Sequence, residues 1–184
     1  MSGIAGLWWL DGRAANRSEV GSMLDPLIAR GPDASGLWVD GSVGLGHRML
    51  WTTPESLNET LPLANPAGNL AVTADARIDN RDELISDCGI RGPASNISDS
   101  QLILAAYEKW GEKCPEKLFG DFAFVIWDRR QQALFCARDG MGVVPFYYHS
   151  SRDAFLFVSE IKALLVIAAK RDEGSGLHYQ ELRR

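Results

Sequence analysis

The chain reads as an α+β protein built on two antiparallel sheets with helices against them. Short apolar segments at 122–127, 133–137, 146–149 and 155–158 follow one another too closely for crossover connections, so they pair as hairpins. Two of them, Phe122-Ala123-Phe124-Val125-Ile126-Trp127 and Phe155-Leu156-Phe157-Val158, are apolar at every position, so both faces need cover. Other stretches carry apolar residues at helical spacing. Two sheets packed face to face, with helices on one or both outer faces, is the simplest arrangement that buries all of this.

Ile4 to Leu10 predicts a buried strand ended by the turn Asp11-Gly12. Val20, Met23, Leu24, Leu27 and Ile28 then share one helix face, with Asn16 or Ser18 as cap. Pro26 lies inside that pattern and should end or kink the helix early, because it removes a backbone donor and crowds the preceding turn. Arg30-Gly31-Pro32-Asp33 reads as a turn. Gly36 to Val39 and Val43 to Leu50 read as a hairpin around Asp40-Gly41. Residues 52 to 69, with three prolines and several asparagines, read as a surface loop. Leu70 to Ala76 is a strand and Arg81 to Asp87 a short helix. Ser98, with Gln101 three residues on, makes a capping box. Leu102, Ile103, Ala106, Tyr107 and Trp110 give the helix behind it one apolar face. Ile161 to Ala169 is a last helix. From Lys170 the chain turns polar, so 1–169 is expected as the domain and 170–184 as a tail that packs poorly.

The 184 residues carry a net charge of -5 with both signs interspersed, which argues against nucleic acid or an anionic membrane as main partner. Cys88, Cys114, Cys136 and His47, His149, His178 are scattered, so neither a disulfide framework nor a metal site is indicated. Gly41-x-x-Gly44-x-Gly46 has the wrong spacing for a dinucleotide loop, and no phosphate loop appears, so the chain has no evident way to bind ATP. With no signal-peptide pattern and no bilayer-length apolar run, a soluble cytoplasmic protein is the expectation.

The start of the chain is the most telling stretch. Met1-Ser2-Gly3-Ile4-Ala5-Gly6 runs into Leu7-Trp8-Trp9-Leu10. A hydroxyl at an N-terminal position, then glycine, then a buried strand suits a nucleophile whose base is its own α-amine. Taken alone, the fragment is more simply an ordinary strand start.

Seven segments in register change that balance. They are Gly3-Ile4-Ala5-Gly6, Arg30-Gly31-Pro32-Asp33, Gly46-His47-Arg48, Ser98-Asp99, Gly120-Asp121-Phe122-Ala123-Phe124, Arg138-Asp139-x-x-Gly142-x-x-Pro145-Phe146-Tyr147-Tyr148 and Ser159-Glu160-Ile161-Lys162-Ala163-Leu164. Together they resemble the N-terminal class II glutamine amidotransferase domain of asparagine synthetase-like proteins, over roughly residues 1–165. The resemblance implies the N-terminal-nucleophile (Ntn) hydrolase fold, a four-layer αββα sandwich of two antiparallel sheets flanked by helices. In the active family a cysteine becomes the first residue, attacks the glutamine amide, and releases ammonia to a synthetase domain.

Ser2, Asp75-Ala76-Arg77 and Met49 depart from the family pattern. Ser2 replaces the cysteine. Asp75-Ala76-Arg77 stands where the family has Asn-Gly-Glu, whose Asn side chain and Gly amide form the oxyanion hole. The family's carboxylate-gripping arginine directly precedes a leucine; here Met49 precedes Leu50, and Arg48 is one place early. Asp99 matches the family's ligand for the substrate amine. Losing one oxyanion donor lowers rate roughly 10²–10³-fold. An ionised Asp75 at about 4 Å would add repulsion on the order of 4 kcal/mol at an effective dielectric near 20. Ser2, Asp75 and Ala76 thus form a degenerate catalytic set, and Arg48, Arg77 and Asp99 a vestigial glutamine pocket. Trp51-Thr52-Thr53-Pro54-Glu55-Ser56 and Asp75-Ala76-Arg77-Ile78-Asp79-Asn80 resemble relatives from peptide and antibiotic pathways, such as lasso-peptide cyclases and β-lactam synthetases, whose first domain has often lost its cysteine.

The resulting expectation is a glutaminase-inactive domain that partners an ATP-dependent amide-forming synthetase domain or subunit. ATP and magnesium are expected only in that missing portion, and this chain itself takes no cofactor. One alternative is an active serine-nucleophile amidohydrolase acting on glutamine. Another is a module that binds a peptide or carrier. A homodimer stays open. Asp33 either positions the amino terminus or caps its own turn. Arg138 and Asp139 read as a structural pair, Glu160 and Lys162 as solvated helix charges, Asp79-Asn80-Arg81 as a helix start, and Trp8 and Trp9 as core.

Overall fold

The structure is a computed structural model that describes the backbone of residues 1–171 and 180–181 and the side chains through Ile167. In chain order the elements are β1 Gly3–Trp9, α1 Arg17–Leu24, β2 Ala34–Asp40, β3 Val43–Met49, β4 Leu63–Ala64, β5 Leu70–Ile78, α2 Arg81–Cys88, α3 Asp99–Trp110, β6 Gly120–Asp128, β7 Ala133–Arg138, β8 Tyr147–Ser150, β9 Ala154–Val158, α4 Ile161–Arg171 and β10 Gln180–Glu181. They fall into two compact units, Met1–Leu50 with Pro145–Arg184, and Trp51–Val144.

The first unit holds a sheet of order β10-β8-β9-β1-β3-β2, antiparallel throughout. Alternate β1 residues Ala5, Leu7 and Trp9 pack with Val20, Met23 and Leu24 of α1 and with Ala163, Leu164 and Ile167 of α4. The intervening Ile4 and the β9 residue Phe157 are equally buried, so both faces of these strands are covered. Gly6 is required by its neighbour: a Cβ there would lie 2.3 Å from the Phe157 ring. Asn16 caps α1 in a capping box with Glu19. Pro26 lies in a 3₁₀ turn, Asp25–Leu27, that ends the helix.

The second unit holds a sheet of order β4-β5-β6-β7, again antiparallel. Ser98 and Gln101 form the expected capping box at the start of α3. Tyr107 of α3 meets Phe135 at 5.3 Å between ring centroids, and Phe135 meets Phe124 at 6.1 Å, which fixes the sheet face that α3 covers. Residues 52–69 are more ordered than a loop. They contain a 3₁₀ turn, Glu55–Asn58, and strand β4. The Asn65 side chain accepts the amides of Asn69 and Leu70 and so closes the β4–β5 turn.

The polar tail expected over 170–184 lies largely outside the described residues; within it, Gln180 and Glu181 pair with Tyr148 and Tyr147. Among the described residues, no helix is long and apolar enough to cross a membrane.

Candidate functional site

In the first unit, Ser2 sits just ahead of β1 and is 7% exposed. Its Oγ accepts the Leu50 amide at 3.0 Å and donates toward the Met49 sulfur at 3.8 Å. The Ser2 carbonyl accepts Arg30 Nε at 2.9 Å. The same guanidinium lies 3.5 Å from Glu160, which pairs with Lys162 at 2.7 Å. Glu160 therefore helps hold the chain start, beyond the solvated role its helix position suggests.

The Arg30-Gly31-Pro32-Asp33 turn lies against the end of β3. A Cβ on Gly31 would stand 2.3 Å from the carbonyl of Arg48, and the Asp33 amide donates to the Met49 carbonyl at 3.0 Å. The turn thus fixes the strand end that carries the Leu50 donor. Arg48 is committed elsewhere: its Nε donates to the Leu24 carbonyl at 3.2 Å and its guanidinium lies 3.6 Å from Asp25. His47, in mid-strand opposite Ile4, is held neutral because burial lowers its pKa to about 3.

In the second unit, Asp75 lies in β5 opposite Ala123 of β6 and is 7% exposed. Ala74 and Ala76 pair with Phe124 and Phe122, so alternation puts Asp75 on the sheet face opposite α3. Arg77, further along, is 74% exposed and bonds Asp79 at 3.0 Å. Asp99 is the first residue of α3. The guanidinium of Arg81, the first residue of α2, bonds its carboxylate and the Ile97 carbonyl. Burial pushes the Asp99 carboxyl up to about 6, with Arg81 pulling the other way.

The structure therefore gathers Ser2 and Met49, ties Arg48 to the end of α1, and carries Arg77 into solvent. Arg138 and Asp139 both bind the backbone of their own loop. Arg138 Nε donates to the Val144 carbonyl at 2.6 Å, and Asp139 accepts the amides of Met141, Val143 and Val144. Trp9 is core and bonds Glu19 at 3.3 Å. Arg81 is the residue that sequence reasoning missed. Its backbone does start a helix, but its side chain partner is 18 positions away.

Two antiparallel sheets with flanking helices are the architecture of an Ntn-hydrolase amidotransferase fold. A solved structure of glutamine phosphoribosylpyrophosphate amidotransferase from B. subtilis, complexed with ADP and GMP, matches with a TM-score of 0.73 at 18% identity. It covers 98% of this chain and 45% of that one. A family model described as a glutamine amidotransferase domain matches residues 1–179, and the chain belongs to that family as a class II domain of asparagine synthetase-like proteins.

Asparagine synthetase [glutamine-hydrolyzing] 3 of Bacillus subtilis is 34% identical over 170 residues, covering 90% of this chain and 27% of that protein. A putative asparagine synthetase [glutamine-hydrolyzing] 2 of Methanocaldococcus jannaschii is 30% identical over 183 residues, with 91% and 35% covered. Amidase chry2 of Gibberella zeae is 30% identical over 149 residues, with 80% and 22% covered. The chain thus spans between about a fifth and a third of the length of these relatives.

Proposed function

We propose that this domain does not hydrolyse glutamine and serves as the folded partner of an ATP-dependent amide-forming synthetase portion carried outside these 184 residues. The observation that carries the reading is the setting of Ser2: its hydroxyl is held between the Leu50 amide and the Met49 thioether, where the resemblance places a cationic arginine. A serine hydroxyl needs a base far more than a thiol does, because it is almost never ionised at neutral pH.

Two further features support it. Asp75, which is buried, stands where the resemblance has the oxyanion-hole asparagine. Asp99 is already paired with Arg81. ATP and magnesium belong to the synthetase portion, in the cytoplasm. The finer kinship, with lasso-peptide cyclases and β-lactam synthetases, makes the acceptor an amine other than free ammonia. Calorimetry with L-glutamine tests the domain directly. No heat above dilution is expected, and saturable millimolar binding with glutamate as product contradicts the reading.

A further inference from the structure

The ion pair of Arg81 and Asp99 joins the first residues of α2 and α3. Both side chains are mostly buried, at 21% and 14% exposed. The Arg81 guanidinium also donates to the Ile97 carbonyl. A carboxylate and a backbone carbonyl converging on one guanidinium are a filled cation site: one negative charge and one neutral acceptor, partly shielded from water.

The neighbourhood adds to this. Arg81 lines an open cavity of about 660 Å³. Glu55, Asp79, Asp82 and Glu83 line it as well, four carboxylates beside that one guanidinium. Glu55 feels the Arg81 charge, though its own backbone amide is the larger reason its pKa is lowered. Phe119, 71% exposed, also lines the cavity and offers an aromatic face of the kind that attracts cations.

We propose that Arg81 is a tethered cation that occupies the Asp99 site and closes it to free ammonium or guanidinium ligands. Even a short flexible tether gives an effective concentration in the millimolar range. A side chain fixed at a helix start exceeds that, so a free cation of ordinary weak affinity does not displace it. The inference deepens the glutaminase-inactive reading, which it rests on, because an amino-acid ammonium would have to evict Arg81 to reach Asp99. Its test reads binding, not turnover, so the two readings fail separately.

The test uses the full chain with methylguanidinium chloride as probe, read by backbone amide NMR and thermal melting. Arg81→Ala should show saturable shifts at the amides of residues 97–101 at low-millimolar probe, at least tenfold tighter than any effect in the wild type, together with a rise in Tm. Sodium chloride at the same ionic strength should do neither. Arg81→Ala combined with Asp99→Asn should not respond. Arg81→Met keeps the aliphatic stem and serves as second variant. A variant that folds only with the probe present supports the proposal. Wild-type shifts at the same probe concentration overturn it, as does a folded variant that takes no probe, or one that stays unfolded with the probe present.

Discussion

The Leu50 amide donates to the hydroxyl oxygen of Ser2 at 3.0 Å, and that hydroxyl in turn reaches the Met49 sulfur at 3.8 Å. The bond ties the chain start to the end of β3, just beyond the Gly3–Arg48 pairing of β1 with β3. Ser2 thus acts as a structural clasp. Ser2→Ala removes the acceptor and should lower stability by about 1 kcal/mol. Urea unfolding should show a lower midpoint with an unchanged slope. An unchanged midpoint would show that the clasp contributes nothing.

Ser2→Cys supplies a side chain that ionises far more readily than a hydroxyl. It leaves Asp75, Met49 and the Arg81–Asp99 pair in place. An enzyme-coupled glutamate assay should detect no hydrolysis by this variant. Measurable turnover would contradict the glutaminase-inactive reading.

Two glycines should respond in opposite directions. Gly31→Ala drives a Cβ to 2.3 Å from the Arg48 carbonyl, backbone against backbone, and should destabilise by about 3 kcal/mol. For a chain of this size that is roughly 6–12 °C in Tm. Gly21 lies inside α1, where an added Cβ meets only a Leu37 methyl at 4.0 Å. Gly21→Ala should raise stability by about 0.5–1 kcal/mol. Thermal melts of both variants separate the cases.

His47 should dominate acid destabilisation near neutrality. Its pKa, ordinarily 6.5, is lowered to about 3 by burial. The unfolded chain therefore binds a proton that the folded chain refuses between those values. Stability is full above pH 6.5 and falls as pH drops toward 3, by on the order of 4 kcal/mol. His47→Asn should flatten the stability profile from pH 6.5 to 4 by one proton's slope, measured by urea unfolding at each pH. A variant with the wild-type profile would refute the assignment.

Local signals carried far in this chain. The Ser98 capping box, a helix cap at Asn16 or Ser18 and the helix stop at Pro26 depend on neighbours within a few residues; the structure keeps the box and the stop and chooses Asn16 as the cap. The doubly apolar run 122–127 of β6 is buried as its pattern requires, and so is that of β9 apart from the half-buried Phe155. Strand β4 was not legible, because two residues give no alternation and the order comes from Asn65 bonding the turn behind it. Arg81 and Glu160 look like surface charges in sequence because their partners, Asp99 and Arg30, arrive only through the tertiary fold. Arg48 is engaged through the tertiary fold as well: its guanidinium reaches Asp25 and the Leu24 carbonyl at the end of α1.

Release of ammonia from amide-¹⁵N glutamine, followed by NMR on protein whose intact mass establishes the state of Met1, tests the central claim most directly. The account predicts no signal above that of Ser2→Ala, whether Met1 is present or removed. Ammonia release by the wild type that Ser2→Ala abolishes would contradict it.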